Sequence, residues 1–186
     1  MIGYAFCGSF CTHAQSLAQL RRLLAQGYEI QPIFSTAVWE TDTRFGQARA
    51  LREEVETLCG RPILHTLVDT EPLGPKQPLQ ALILCPCTGN TLAKMACGIT
   101  DSPVCMAAKA HLRADRPLVV ALASNDVLSA NLGNVGTMLR RKQVFFVPMK
   151  QDDPVNKPHS LVCEFDLLLP TLENALAGRQ LEPLWR

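Results

Sequence analysis

The chain has 186 residues, 47% of them hydrophobic and 19% charged. Lysine and arginine number 18 and aspartate and glutamate 17, a formal net charge of +1 with no run of like charge to meet nucleic acid or an anionic membrane. Such a composition excludes a disordered chain, and apolar runs of strand length such as residues 118–123 exclude a bilayer span; one globular domain over residues 1–186 is expected.

The opening MIGYAFCGSFC is apolar but lacks a basic n-region and a small-residue cleavage site, so residues 2–7 read as a first strand rather than an export signal. A turn at Gly8-Ser9 leads into a helix with Leu17, Leu20 and Leu24 on one face, closed by Gly27. Residues 28–34 read as the second strand. Ala48, Leu51, Val55 and Leu58 mark another amphipathic helix that stops at Gly60, and residues 63–68 read as a third strand. The connector carrying Pro72, Pro75 and Pro78 is too stiff for a domain linker.

Residues 81–85, 118–123 and 144–147 are three more strands, apolar throughout as strands buried on both faces are. Helices are expected at about residues 92–97, 104–112, 127–139 and 161–177, the last interrupted at Pro170. Strand and helix in alternation predict an α/β fold, a three-layer Rossmann-like or flavodoxin-like domain with a parallel sheet of about six strands. Eight cysteines without an export signal, in a core-rich chain, read as reduced thiols of a cytoplasmic protein.

Ligands of such sheets sit at the carboxyl ends of the strands. Four loops fall there: Gly8-Ser9, Ser35-Thr36, the run CPCTGNT with Thr88, Gly89, Asn90 and Thr91, and Ser124-Asn125-Asp126. They are rich in short hydroxyl and amide side chains and hold no lysine or arginine. Backbone N–H groups and hydroxyls can still grip a phosphate. Any one of these loops also reads as ordinary turn and cap chemistry; their coincidence at one sheet edge points to a site. Neither GxxxxGK[ST] nor a GxGxxG after the first strand is present. Cys85 and Cys87 form CxC, Cys7 and Cys11 form CxxxC, and no second pair of suitable spacing completes a four-ligand zinc set, so no metal is expected.

The PCTGNT loop and the LAKMACGITDSP that follows resemble the PASANT motif and Gly-Ile-Ala-Asp-Asn segment of the flavoprotein family, the homo-oligomeric flavin-containing decarboxylases and flavin prenyltransferases. Within it, TRFG at 43–46, EPLGPK at 71–76, TGN at 88–90, TDSPV and MAAKA at 100–110, and QDDP with KP at 151–158 are similar to the dipicolinate synthase B subunits, over nearly the whole chain. The resemblance implies a site for FMN at Gly8, Ser9, Ser35, Thr88, Gly89, Asn90, Thr91, Ser124 and Asn125. It implies a partner, the dipicolinate synthase A subunit, that carries NADP, and a dicarboxylate substrate oxidised to dipicolinate during sporulation. It also implies a homo-oligomer, a trimer or larger, for which Ala93, Ala96, Ala107 and Ala108 offer small helix faces.

The decarboxylases' PxMNxxMW motif has no counterpart: the run after the fifth expected strand is ALASNDVL, matching only Asn125. A redox role, a non-catalytic role that stabilises the NADP-dependent partner, and a decarboxylase- or prenyltransferase-like enzyme therefore all remain open. Arg44 and Lys109, the cations inside the most specific strings, are candidates for catalytic contact with a carboxylate; a solvated surface cation is the competing reading. His65 lies in the half of the chain where the decarboxylases carry their catalytic histidine, but on the third expected strand, where a structural histidine is the first reading. Cys87 stands where a thiol can touch a flavin ring or simply pack. The Asp152-Asp153-Pro154 sequence is a turn that can also cover the site.

Overall fold

The computed structural model describes residues 1–74 and 76–186; Pro75, one of the connector prolines, lies outside them. Strands β1 (Ile2–Phe6), β2 (Ile30–Phe34), β3 (Ala81–Cys87), β4 (Leu118–Ser124), β5 (Val144–Phe146), β6 (Met149–Lys150) and β7 (Leu161–Cys163) form one sheet. Parallel pairing runs β2-β1-β3-β4-β5, while β7 and β6 continue antiparallel from the last two residues of β4. Among the described residues, eight helices flank it: α1 (His13–Ala25), α2 (Thr36–Glu40), α3 (Ala48–Cys59), α4 (Leu67–Thr70), α5 (Gly89–Ala96), α6 (Pro103–Arg113), α7 (Leu132–Leu139) and α8 (Leu168–Leu176).

Alternation along the strands builds a core on each face. Ala5 of β1 and Cys7 just after it join Leu82 and Leu84 of β3 and Leu118, Val120 and Leu122 of β4 under α5, α6 and α7. Tyr4, Phe6, Ile83, Cys85, Val119 and Ala121 point the other way, under α1, α3 and α8. Both faces of the central strands are thus covered, which is why those strands read as unbroken apolar runs. The layers and the mostly parallel sheet are as the alternation implies; among the described residues the sheet has seven strands rather than about six, with β7 and β6 antiparallel.

Three expected elements differ. Residues 63–68 contribute only an isolated bridge, Ile33 to Leu64, because Thr66 and Asp69 form a capping box that starts α4 at Leu67. The expected helix at 127–139 begins at Leu132, since residues 125–131 are taken up by turns around Asp126. The expected helix at 161–177 is strand β7, a short 3-10 helix (Phe165–Leu167) and α8, in that order. Pro170 does not interrupt it; it stands in the first turn of α8, where no intrahelical N–H is called for.

Two prolines inside strands are accommodated. Pro32 lies in β2, which pairs along its length with β1 alone. Pro86 lies in central β3, and there the β3–β4 register shifts between Leu84 and Cys87. Past that shift, β3 and β4 both deliver their carboxyl ends to one edge of the sheet. Among the described residues, no helix is long and apolar enough to cross a membrane.

Candidate functional site

The loops after β1, β3 and β4 meet in a cleft of about 920 Å³ at that carboxyl edge. Gly8 and Ser9 come from the first, Thr88, Gly89 and Asn90 from the second, Ser124, Asn125 and Asp126 from the third. Each loop is tied down. Ser9 Oγ donates to the Ala123 carbonyl at 3.2 Å, fastening the β1 loop to the end of β4. Thr88 caps α5: its Oγ accepts the Thr91 N–H at 3.1 Å and donates to Thr91 Oγ at 3.0 Å. Gly89 and Asn90 occupy the first two positions of α5, where backbone N–H groups have no partner in the helix. The Asn90 side chain is exposed and makes no hydrogen bond among the described residues.

A Cβ on Gly89 would lie 2.6 Å from Ser124 Oγ, 2.7 Å from Asn131 Nδ2 and 2.8 Å from Asp126 Oδ1. Only glycine lets the start of α5 approach this cluster so closely. The cluster is internally satisfied: Ser124 Oγ donates to Asp126 Oδ1 at 2.5 Å, Asn131 Nδ2 to Asp126 Oδ2 at 2.9 Å, and Asn134 Nδ2 to Asn131 Oδ1 at 2.9 Å.

The far wall comes from two other segments. Arg44 and Phe45, between α2 and α3, line the cleft, and so do Asp152, Asn156, Lys157, His159 and Ser160, between β6 and β7. Lys157 Nζ donates to Asp152 Oδ2 at 2.9 Å, a pairing that raises the lysine's pKa. Asp153 Oδ1 accepts the Asn156 N–H at 3.0 Å, so the DDP sequence is a turn, and its loop also borders the cleft.

The structure brings together Gly8, Ser9, Thr88, Gly89, Asn90, Ser124 and Asn125, with Arg44 opposite them. It leaves out three of the expected site residues. Ser35 is buried at the end of β2 and spends its Oγ capping α2, accepting the Val38 N–H at 3.4 Å. Thr91 is buried behind Thr88. Lys109 is exposed on α6 and does not line the cleft. His65 stacks on Trp39, centroids 3.5 Å apart, away from the cleft and off the sheet.

Asn156, Lys157, His159 and Ser160 join the site beyond the candidate residues, while Asp126 and Asp152 lie in loops expected there. The QDDP and KP strings are the available signal, but a helical reading of residues 161–177 hides the β6–β7 excursion that carries them back over the sheet edge. The thiols beneath the cleft are packing groups. Cys87 is fully buried, its Sγ 3.6 Å from the Thr88 carbonyl, and burial pushes its pKa well up. Burial likewise pushes Cys7 to about 12 and Cys85 to about 11, so all three stay protonated at neutral pH.

A mostly parallel sheet covered on both faces, with hydroxyl and amide loops converging at its carboxyl edge, defines a flavodoxin-like α/β domain. The chain belongs to the Flavoprotein family, whose sequence pattern matches residues 2–167. It is 42% identical over 183 residues to the dipicolinate synthase B subunit of Bacillus subtilis (strain 168), covering 98% of this chain and 92% of that one. A crystal structure of the dipicolinate synthase B subunit from Bacillus halodurans superposes with a TM-score of 0.91 at 38% identity, covering 100% of this chain and 95% of the other. An FMN-dependent cysteine decarboxylase shares the fold, with a TM-score of 0.67 at 23% identity over 95% and 94% of the two chains.

Proposed function

We propose that the chain acts as the B subunit of a dipicolinate synthase, taking part in the oxidation of dihydrodipicolinate to dipicolinate (pyridine-2,6-dicarboxylate) during sporulation. The observation that carries this reading is the end-to-end likeness to the Bacillus subtilis B subunit, 42% identical over 98% of the chain. The cleft is the place where the work is done. An FMN-type ligand fits its donor set: the first N–H groups of α5 and the hydroxyls of Ser9 and Thr88 suit a phosphate ester. Asn90, Asn125 and Ser124 suit the carbonyl and N–H edge of a flavin ring. Gly89 supports the fit indirectly: its close approach to Ser124 and Asp126 holds the start of α5, with its unpaired N–H groups, at the cleft.

Bound flavin supplies hydride chemistry. The chain's own part is to hold and orient. Ser124 gives its proton to Asp126 and so offers lone pairs to a ligand N–H. Arg44 offers a carboxylate the two parallel N–H groups of a guanidinium, and Lys157 adds a second cation at the same mouth. The NADP site belongs to the A subunit in this reading, because this chain lacks the GxGxxG fingerprint. A closed homo-oligomer, a trimer or larger, is part of the proposal, but Ala107 and Ala108 do not serve it: both are buried in the chain's own core.

Titration of the purified chain with FMN, followed by quenching of flavin fluorescence, tests the site. Saturable one-to-one quenching is expected. An absence of quenching at micromolar protein removes flavin from the account.

A further inference from the structure

Beside the cleft lies a second, smaller pocket of about 340 Å³, between α1, α3 and the segment joining α2 to α3. Its walls are apolar, from Phe10, Leu17, Val38 and Leu51, and it shares Phe10, Cys11 and Phe45 with the cleft. Its volume sits at the lower end of small-molecule sites, about 300–1,000 Å³. One of its lining side chains is His13, the first residue of α1, which is 8% exposed.

The His13 ring is held from several sides. It stands edge-on to Phe6, centroids 5.8 Å apart at 84°, and tilted against Phe10 at 5.1 Å. Its Nε2 is 2.8 Å from the Cys7 carbonyl oxygen. A carbonyl only accepts, so Nε2 carries the proton and the neutral ring keeps its lone pair on Nδ1. Nδ1 has no hydrogen-bond partner among the described residues, and it is not among the polar atoms sealed from solvent, which are Gln19 Oε1 and His111 Nδ1. Nδ1 is therefore the ring's unpaired acceptor, and His13 is one of the residues that line the pocket. Burial lowers the His13 pKa and keeps the ring neutral near pH 7. The other titratable groups facing the pocket are Cys11 and Glu54, and Glu54 is ion-paired with Arg21.

We infer that this pocket receives the ring of a planar cyclic dicarboxylate whose carboxylate is held by Arg44, and that His13 Nδ1 is its proton acceptor. This assignment rests on the function proposed above. Arg44 lines the cleft with its guanidinium carbon 4.8 Å over the ring of Phe45, which walls both spaces, so the cation that would hold a carboxylate adjoins the pocket that His13 lines. Oxidation of a dihydropyridine-type ring to the pyridine breaks one ring C–H bond to release a hydride and a second ring C–H or N–H bond to release a proton. In the net reaction the hydride ends on the pyridine nucleotide carried by the A subunit. The proton passes to Nδ1, giving an imidazolium that returns it to water, and the ring's electrons close the aromatic sextet.

Nitrogen NMR of the full chain labelled on its histidines, with and without the A subunit, reads the contact directly, using dipicolinate as the probe. Saturating dipicolinate is expected to move the His13 Nδ1 resonance while those of His65 and His111 stay in place. His13→Asn keeps a donor for the Cys7 carbonyl and replaces the basic Nδ1 with an amide oxygen that cannot take a proton near neutral pH. Its dipicolinate affinity is expected within about threefold of the parent, with turnover down about 100-fold or more and the acidic limb of the pH profile gone. Ala14→Met, on the exposed side of α1, narrows the pocket without touching the core and is expected to weaken dipicolinate binding. If dipicolinate binds, as calorimetry reports, and His13 Nδ1 does not move, the pocket assignment is overturned while the proposed function stands. If calorimetry detects no dipicolinate binding, whether or not the A subunit is present, both fall.

Discussion

Ser124 donates its hydroxyl proton to Asp126 across 2.5 Å, and that single contact decides what the end of β4 presents to the cleft. With the proton committed, Ser124 accepts rather than donates. Asp126 is fixed on its other oxygen by Asn131 at 2.9 Å, so the pair acts as one rigid unit beneath the start of α5. Ser124→Ala removes the shorter of the two bonds to a partly buried carboxylate. Charge-assisted bonds contribute about 1.5–3 kcal/mol, and partial exposure brings the expected loss of stability to about 1 kcal/mol. Urea unfolding at pH 7.5 measures it; an unchanged midpoint would mean that water replaces the serine at no cost.

Gly89→Ala places a methyl 2.6 Å from Ser124 Oγ and 2.8 Å from Asp126 Oδ1. The Ser124–Asp126–Asn131 cluster has to open to admit it. A loss of about 1–3 kcal/mol, the usual range for overpacking, is expected together with weakened FMN binding. Parent-like thermal stability and parent-like FMN affinity would contradict the close approach of α5 to β4.

Asn90→Asp exchanges an exposed amide for an anion at the cleft mouth. The fold has little at stake there. FMN affinity is expected to fall by about tenfold or more, corresponding to about 1–3 kcal/mol for a lost hydrogen bond and an unpaired charge. Fluorescence quenching checks this, and an unaltered dissociation constant removes Asn90 from the site.

Stability is expected to peak between about pH 6.5 and 8.5, the ordinary pKa values of histidine and cysteine. Above that window the unfolded chain sheds thiol protons, whereas burial holds Cys85 to about 11 and Cys7 to about 12. The folded state then binds more protons, and each such thiol removes about 1.4 kcal/mol of stability per pH unit. Below the window, burial lowers His13 and His111, so the unfolded chain takes up protons that the folded chain refuses, and stability falls as pH drops. Urea midpoints at three pH values, one inside the window and one on each side, test both signs. A flat profile on the alkaline side contradicts the buried, protonated thiols.

The three-layer frame is legible in the sequence because unbroken apolar strands such as Leu118–Ser124 have one common explanation, burial on both faces. The loops after β1, β3 and β4 follow from that frame by the strand-end rule. The second wall of the cleft does not. Residues 161–177 have helical apolar spacing, and nothing local distinguishes the three-residue strand Leu161–Cys163 from a first helical turn; its identity comes from pairing with Ala123 and Ser124, far away in the chain. Ser35 and Thr91 are expected in the site because their residue types suit a ligand. The Ser35 hydroxyl caps α2 and the Thr91 hydroxyl accepts that of Thr88, the cap of α5, a competition that hydroxyl-rich loops contain.

The most direct test of the proposed function is the rate of NADP-linked oxidation of dihydrodipicolinate by the A subunit, measured with this chain, without it, and with its Arg44→Lys variant. Full turnover is expected only with the parent chain. The variant keeps the charge but loses the guanidinium fork, so its rate at limiting substrate is expected to fall about 5- to 100-fold, corresponding to about 1–3 kcal/mol. Equal rates with and without the parent chain would contradict the account.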